Sequence, residues 1–244
     1  MTGKCLVTYP NNGKRIGILA GNSYMSRHAN VIIKALLASK NGKEFGKFYV
    51  LSQASCPIFE TAYPPFDFCP FKNRTLFSFV ETVKPDVFIT VNRLDNVDTT
   101  WANNLDNDTK TLQIKKDILD FSKFTKHFIH IQPHFTSGED NPEIAANNLA
   151  YKLSINESPQ NITRTRISVE NEVISTWTKV KHAAKSCKNC KLIEILDLFC
   201  DSNVCKLYDP TTRYAYFCDG VHFTEYGVSF LFDRLKSEFD KLEF

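Results

Sequence analysis

The chain has 244 residues, a formal net charge of +3, and 43% hydrophobic and 23% charged residues. That length and composition fit one large α/β domain with a sizeable core, and the small, dispersed charge argues against a nucleic-acid partner. No apolar run is long enough to span a bilayer, and Met1-Thr2-Gly3-Lys4-Cys5-Leu6-Val7 lacks the apolar core of a signal peptide.

The first predicted element is a buried strand, Lys14-Arg15-Ile16-Gly17-Ile18-Leu19-Ala20, ending at Gly21. A helix follows from about Met25 to Ser39, because Val31, Ile32, Ala35 and Leu36 recur at helical spacing. Phe48-Tyr49-Val50-Leu51 is a second strand. The Pro-rich stretch from Ser55 to Lys72, bracketed by Cys56 and Cys69, reads as a disulfide-pinned loop. Thr75 to Val83 is a helix ended by Lys84-Pro85.

Asp86-Val87-Phe88-Ile89-Thr90-Val91 is the clearest central strand, and Asn92-Arg93-Leu94-Asp95-Asn96 leaves it as a polar loop. A helix over Thr109 to Thr125 leads to a fourth strand, His127-Phe128-Ile129-His130-Ile131, stopped at Pro133. Thr136 to Gln160 is polar and irregular, with room for one helix, and Ser168 to Ala184 is helical. Lys191 to Leu196 is a fifth strand. Thr224, a plausible N-cap, opens a closing amphipathic helix to Phe244, with Phe230, Leu231, Leu235 and Phe239 on one face. Such alternation predicts a doubly wound α/β fold with a five-stranded parallel sheet in one domain, residues 1–244.

The eight cysteines include Cys187, Cys190, Cys200, Cys205 and Cys218 in the last quarter. An even number in loop positions points to disulfides, although eight cysteines allow 105 pairings. Cys200 and Cys205 are spaced for a small disulfide loop, whereas Cys187-Lys-Asn-Cys190 has redox or zinc-knuckle spacing. Sequons at Asn73, Asn107, Asn156 and Asn161 add to the expectation of a secretory or lumenal protein. With no signal peptide visible, the chain is expected to be a fragment of a longer protein that carries the targeting segment upstream.

Ligands of doubly wound sheets bind at the carboxyl ends of the strands. Gly21-Asn22-Ser23-Tyr24 lies there, as do Asn92 and Arg93, and Asp219-Gly220-Val221-His222 precedes the last helix. A serine hydroxyl needs a base within hydrogen-bond reach to become a nucleophile. Imidazole titrates near neutral pH, and a carboxylate beside it fixes its tautomer. These rules nominate Ser23 as nucleophile, His222 as base and Asp219 as the residue that orients it. The tetrahedral intermediate also needs donors for its oxyanion. The Ser23 N–H is one, Asn92 or Arg93 is the second, and Asn22 is mainly a turn-former. His127 and His130 point to opposite faces of their strand, His134 is placed to line the cleft, and His28 is expected at the surface. Neither a metal nor a cofactor is expected.

Gly21-Asn22-Ser23-Tyr24 after a strand, paired with Asp219-x-x-His222 before the final helix, resembles the SGNH (GDSL-like) hydrolase superfamily. Asn22 before the serine, Tyr24 after it, Arg93 and the Cys200–Cys205 loop make it most similar to the SGNH domain at the C-terminus of acyltransferase-3 membrane O-acyltransferases. The resemblance implies a flavodoxin-like three-layer sandwich with Ser23, Asp219 and His222 as the triad. It also implies acyl, typically acetyl, transfer to or hydrolysis from a carbohydrate hydroxyl. An upstream membrane acyltransferase domain would hand over the acyl group, and this domain would lie outside the cytoplasm. The alternatives are a free-standing secreted carbohydrate esterase and a non-catalytic binding module. Two blocks depart from the superfamily pattern. No glycine occurs between Phe48 and Pro85, where an oxyanion glycine is expected, and Val91-Asn92-Arg93-Leu94 replaces Gly-x-Asn-Asp.

Overall fold

The computed structural model of the chain describes residues 3–9, 13–94, 101–138, 144–157 and 162–244. Asp95, Asn96 and the sequon at Asn161 lie outside the described residues. The elements run β1 (Gly3–Thr8), β2 (Arg15–Gly21), α1 (Ser23–Ala38), β3 (Phe45–Ser52), α2 (Thr75–Val83), β4 (Val87–Val91) and α3 (Thr109–Ser122). They continue with β5 (His127–Ile131), α4 (Ile144–Ser154), β6 (Thr163–Thr165), α5 (Arg166–Ala184), β7 (Cys190–Ile193), β8 (Val204–Lys206), α6 (Glu225–Ser229) and α7 (Leu231–Phe239).

The main sheet has six strands in the order β1-β3-β2-β4-β5-β7. This corrects the expected five-stranded, wholly parallel sheet. β2, β3, β4, β5 and β7 are parallel, and β1 adds an antiparallel edge against β3. The extra strand escapes pattern reading because it buries little: Cys5, Leu6 and Thr8 are exposed. β6 and β8 form a separate two-stranded sheet.

The central strands are apolar on both faces because helices cover both. Side chains alternate across the pleat. Leu19, Ile89, Val91, Ile129 and Ile131 join the core under α1 and α7. Ile18, Ala20, Phe88 and Phe128 join the core under α2, α3 and the C-terminal half of α5. Each fully buried Ile, Leu, Val or Phe among them contributes roughly 1.5–3 kcal/mol of transfer free energy.

The closing helix is interrupted. Thr224 does cap α6, its Oγ1 accepting the Gly227 N–H at 3.0 Å. α6 ends at Ser229, and past Phe230, whose φ of −62° and ψ of −19° stay in the helical region, α7 takes over and stops at Phe239 rather than Phe244. Three disulfides form: Cys56–Cys69, Cys187–Cys190 and Cys200–Cys205. The Cys187-x-x-Cys190 spacing thus closes on itself. Cys5 and Cys218 are free and exposed. Among the described residues no helix is long and apolar enough to cross a membrane.

Candidate active site

The turn after β2 is built for close approach. Gly21 pairs with Val91 of β4, and a Cβ on it would meet the Val91 carbonyl oxygen at 2.1 Å. Only glycine lets the two strand ends come this near. Asn22 then caps α1, its Oδ1 accepting the Tyr24 N–H at 3.2 Å. The same side chain ties the turn to the neighbouring one. Its Nδ2 donates to Arg93 O at 2.9 Å, and its Oδ1 accepts the Arg93 N–H at 3.3 Å. Asn22 therefore serves the turn. Ser23 becomes the first residue of α1, where the leading N–H groups have no intrahelical acceptor.

The second half of the site is a tight loop between Phe217 and Phe223, which bridge each other. The Cys218 N–H donates to His222 O at 2.9 Å. Asp219 Oδ1 accepts the N–H groups of Val221 (2.7 Å) and His222 (2.6 Å), which folds the loop around the carboxylate. Its other oxygen, Oδ2, faces His222 Nδ1 at 2.8 Å. His222 Nε2 lies 2.9 Å from Ser23 Oγ, across 199 positions of sequence.

The tautomer follows from the partners. A carboxylate only accepts, so Nδ1 carries the proton and Nε2 offers its lone pair to the Ser23 hydroxyl. Burial pushes the Asp219 carboxyl up, but the His222 ring and the two backbone N–H groups outweigh it and hold the group below the usual carboxylate range. Asp219 is therefore ionised at neutral pH. A hydroxyl, an imidazole and a carboxylate joined in this order can deprotonate the hydroxyl as it attacks an electrophile.

Asn92 follows β4 and is fully buried. Its Oδ1 accepts the Ile58 N–H at 3.3 Å, while its Nδ2 has no hydrogen-bond partner among the described residues. Ile58 belongs to the Cys56–Cys69 loop, so that disulfide pins the segment that orients Asn92. Arg93 is partly buried, with its backbone held by Asn22.

Two histidines sit differently from expectation. His28 is fully buried rather than at the surface, and His134 is 2% exposed, behind the site rather than on a cleft wall. Burial drives the His28 pKa down to about 3, with His222 adding to the effect, and burial carries His134 well below its ordinary value. Helical spacing held the signal for His28, which lies four residues from both Tyr24 and Ile32 on the buried stripe of α1. His130 is buried against Phe59 and Trp177, whereas His127 is half-buried, its Nε2 lying 2.6 Å from Glu243 O.

A family model described as "SGNH domain (fused to AT3 domains)" matches residues 3–237. No curated protein matches the chain. Among solved structures, the chain is similar to the periplasmic domain of a lipopolysaccharide acetyltransferase from Salmonella ser. Paratyphi A. The identity is 17% and the TM-score 0.59, over 94% of this chain and 85% of that one. It is also similar to a catalytic mutant of the acetylxylan esterase Axe2 from Geobacillus stearothermophilus, at 12% identity and a TM-score of 0.53, over 93% and 94% of the two chains. A third similar structure is LAE5, an alpha/beta hydrolase enzyme from the metagenome of Lake Arreo, Spain, at 11% identity and a TM-score of 0.51, over 95% and 97%. At these identities the likeness is one of fold: a mostly parallel sheet with helices on both sides.

Proposed function

The chain belongs to the family of SGNH domains fused to AT3 domains, and on that footing we propose that it performs serine-dependent acyl-ester chemistry through Ser23, His222 and Asp219. The single observation carrying this is the unbroken hydrogen-bonded line from Asp219 Oδ2 through the His222 ring to Ser23 Oγ. In the proposed cycle, Ser23 Oγ attacks the carbonyl carbon of an acyl donor while His222 Nε2 takes its proton. Asp219 stabilises the imidazolium that results. The tetrahedral oxyanion accepts from the Ser23 N–H and from Asn92 Nδ2, a buried donor with no other partner among the described residues. His222 returns the proton to the leaving oxygen, which departs and leaves an acyl ester on Ser23. An incoming hydroxyl, deprotonated by His222, then takes the acyl group and regenerates the serine.

We assign Arg93 to substrate binding, because it flanks Asn92 on the same strand-end rim. The acceptor class we favour is a carbohydrate hydroxyl, and the acyl group acetyl. The names of the lipopolysaccharide acetyltransferase and the acetylxylan esterase support that choice. By the family's described fusion, an acyltransferase-3 membrane domain on the same polypeptide would supply the acyl group, and the domain would work outside the cytoplasm. Three disulfides fit an oxidising compartment. The sequon residues Asn73, Asn107 and Asn156 are exposed, as glycan acceptors must be.

The test is turnover of p-nitrophenyl acetate and of acetylated oligosaccharides by the wild type and Ser23→Ala. The proposal expects release of acetate by the wild type and loss of about 10⁴-fold or more in kcat for the variant. Equal rates for the two proteins would refute it.

A further inference from the structure

The loop that carries Asp219 and His222 is exposed on one side, and something must hold it at the right distance from α1. The segment after β5 does so. Ser137 donates its backbone N–H to Gly220 O at 2.9 Å and its hydroxyl to the same oxygen at 3.2 Å. Three residues earlier, His134 Nε2 lies 3.0 Å from Val221 O. A carbonyl only accepts, so Nε2 carries the proton of the neutral ring. This hydrogen bond grips the residue directly before His222.

The ring of His134 is also sandwiched. It stacks on Tyr24 at 3.8 Å between centroids and 13° between planes, and on Phe223 at 3.9 Å and 16°. Tyr24 follows Ser23, and Phe223 follows His222. One buried imidazole thus touches both neighbours of the two groups that must meet. Tyr24 also meets the His222 ring edge-on at 6.1 Å. His28 stands edge-on to His134 at 5.0 Å and completes the buried packing.

We infer that His134 is a positioning residue, which sets the Ser23–His222 distance by donating to Val221 O while stacked between Tyr24 and Phe223. The inference rests on the acyl-ester reading of the Ser23 site. His134 touches no reacting atom in this account. Its neutrality has a second consequence: the imidazolium formed at His222 during turnover meets no fixed positive charge from His134 beneath it.

Two substitutions separate the hydrogen bond from the packing. His134→Phe keeps an aromatic ring between Tyr24 and Phe223 and removes the donor. His134→Gln keeps an N–H and gives up the stack. Leaving a buried carbonyl without its donor should lower kcat about tenfold for His134→Phe, with KM within about twofold of wild type. His134→Gln should recover a measurable part of that loss. Thermal midpoints, read in parallel, should not follow the same order as kcat. A His134→Phe protein with wild-type kcat overturns the inference, and so does a loss shared equally by both variants or ordered as the midpoints. Should His134→Phe not fold, Tyr24→Leu, which removes one face of the sandwich, stands in, and an unchanged kcat in it would be equally decisive.

The proton on His222 Nδ1 gives a readout independent of turnover. Donated to Asp219, it should appear far downfield in the wild-type proton spectrum and broaden or move in His134→Phe. A wild type without turnover would refute the acyl-ester reading, and this resonance would still decide the positioning role.

Discussion

Asp219 governs what His222 can do by choosing which ring nitrogen is bare. With Nδ1–H fixed on the carboxylate, Nε2 is left facing the Ser23 hydroxyl, and in the proposed reaction it takes the Ser23 proton. Asp219→Asn preserves the shape and presents either an amide or a carbonyl to the ring. We expect kcat to fall by about 10³–10⁴ at neutral pH, the cost of a wrong tautomer, with KM nearly unchanged, measured by steady-state kinetics. Asn92 is the second residue with a chemical prediction. Removing its buried Nδ2 in Asn92→Ala should lower kcat by about 10²–10³, as for other oxyanion donors. An Arg93→Ala variant should instead raise KM more than it lowers kcat. The opposite split would exchange the two roles. That Ser23, Asp219 and His222 come within hydrogen-bond reach is legible in the sequence, because Gly21-Asn22-Ser23 and Asp219-Gly220-Val221-His222 are short turns at the sheet's carboxyl edge; their catalytic role is the proposal. The packing of His134 is not legible there, because its stacking on Tyr24 and Phe223 depends on side chains brought together from three separate segments.

At the scale of elements, the site is an accident of strand ends held together by turns. Gly21 brings β2 against the Val91 carbonyl, and Asn22 ties that turn to the one after β4. The Cys56–Cys69 loop supplies the Ile58 N–H that orients Asn92. Replacing both cysteines by serine should destabilise the domain by about 2–4 kcal/mol, the range for loops of this size, read by denaturant unfolding. It should also reduce kcat, because Asn92 loses its brace. A stability loss without any change in kcat would detach the loop from the chemistry. The central strands were readable because both faces are buried and their apolar runs are continuous. β1 carries no such run, being an edge strand with exposed residues, and the end of α6 before Phe230 leaves no mark in the pattern because both helices keep the same buried face.

At the scale of the whole molecule, buried neutral histidines tie stability to pH. Burial lowers His28 and His130 to about 3 from an ordinary 6.5, so the unfolded chain binds these protons first. Their contribution is complete above about pH 6.5 and is lost as pH falls from there toward 3. Each such group costs about 1.4 kcal/mol per pH unit inside that window. Among the described residues His28 has no hydrogen-bond partner at either nitrogen. His28→Leu should therefore be close to neutral or stabilising at pH 7 and should flatten the acid slope by about that amount. Unfolding free energy against pH for both proteins checks this, and parallel curves would rule out His28 as a source of the acid slope.

If Ser23 is the activated nucleophile, a fluorophosphonate probe should modify it, and the mass of the intact protein after exposure reads this out. One adduct per chain is expected, mapped to the peptide containing Ser23, absent from Ser23→Ala and much slower to form in a His222→Ala variant. An adduct on another residue, or equal labelling of wild type and Ser23→Ala, would contradict it.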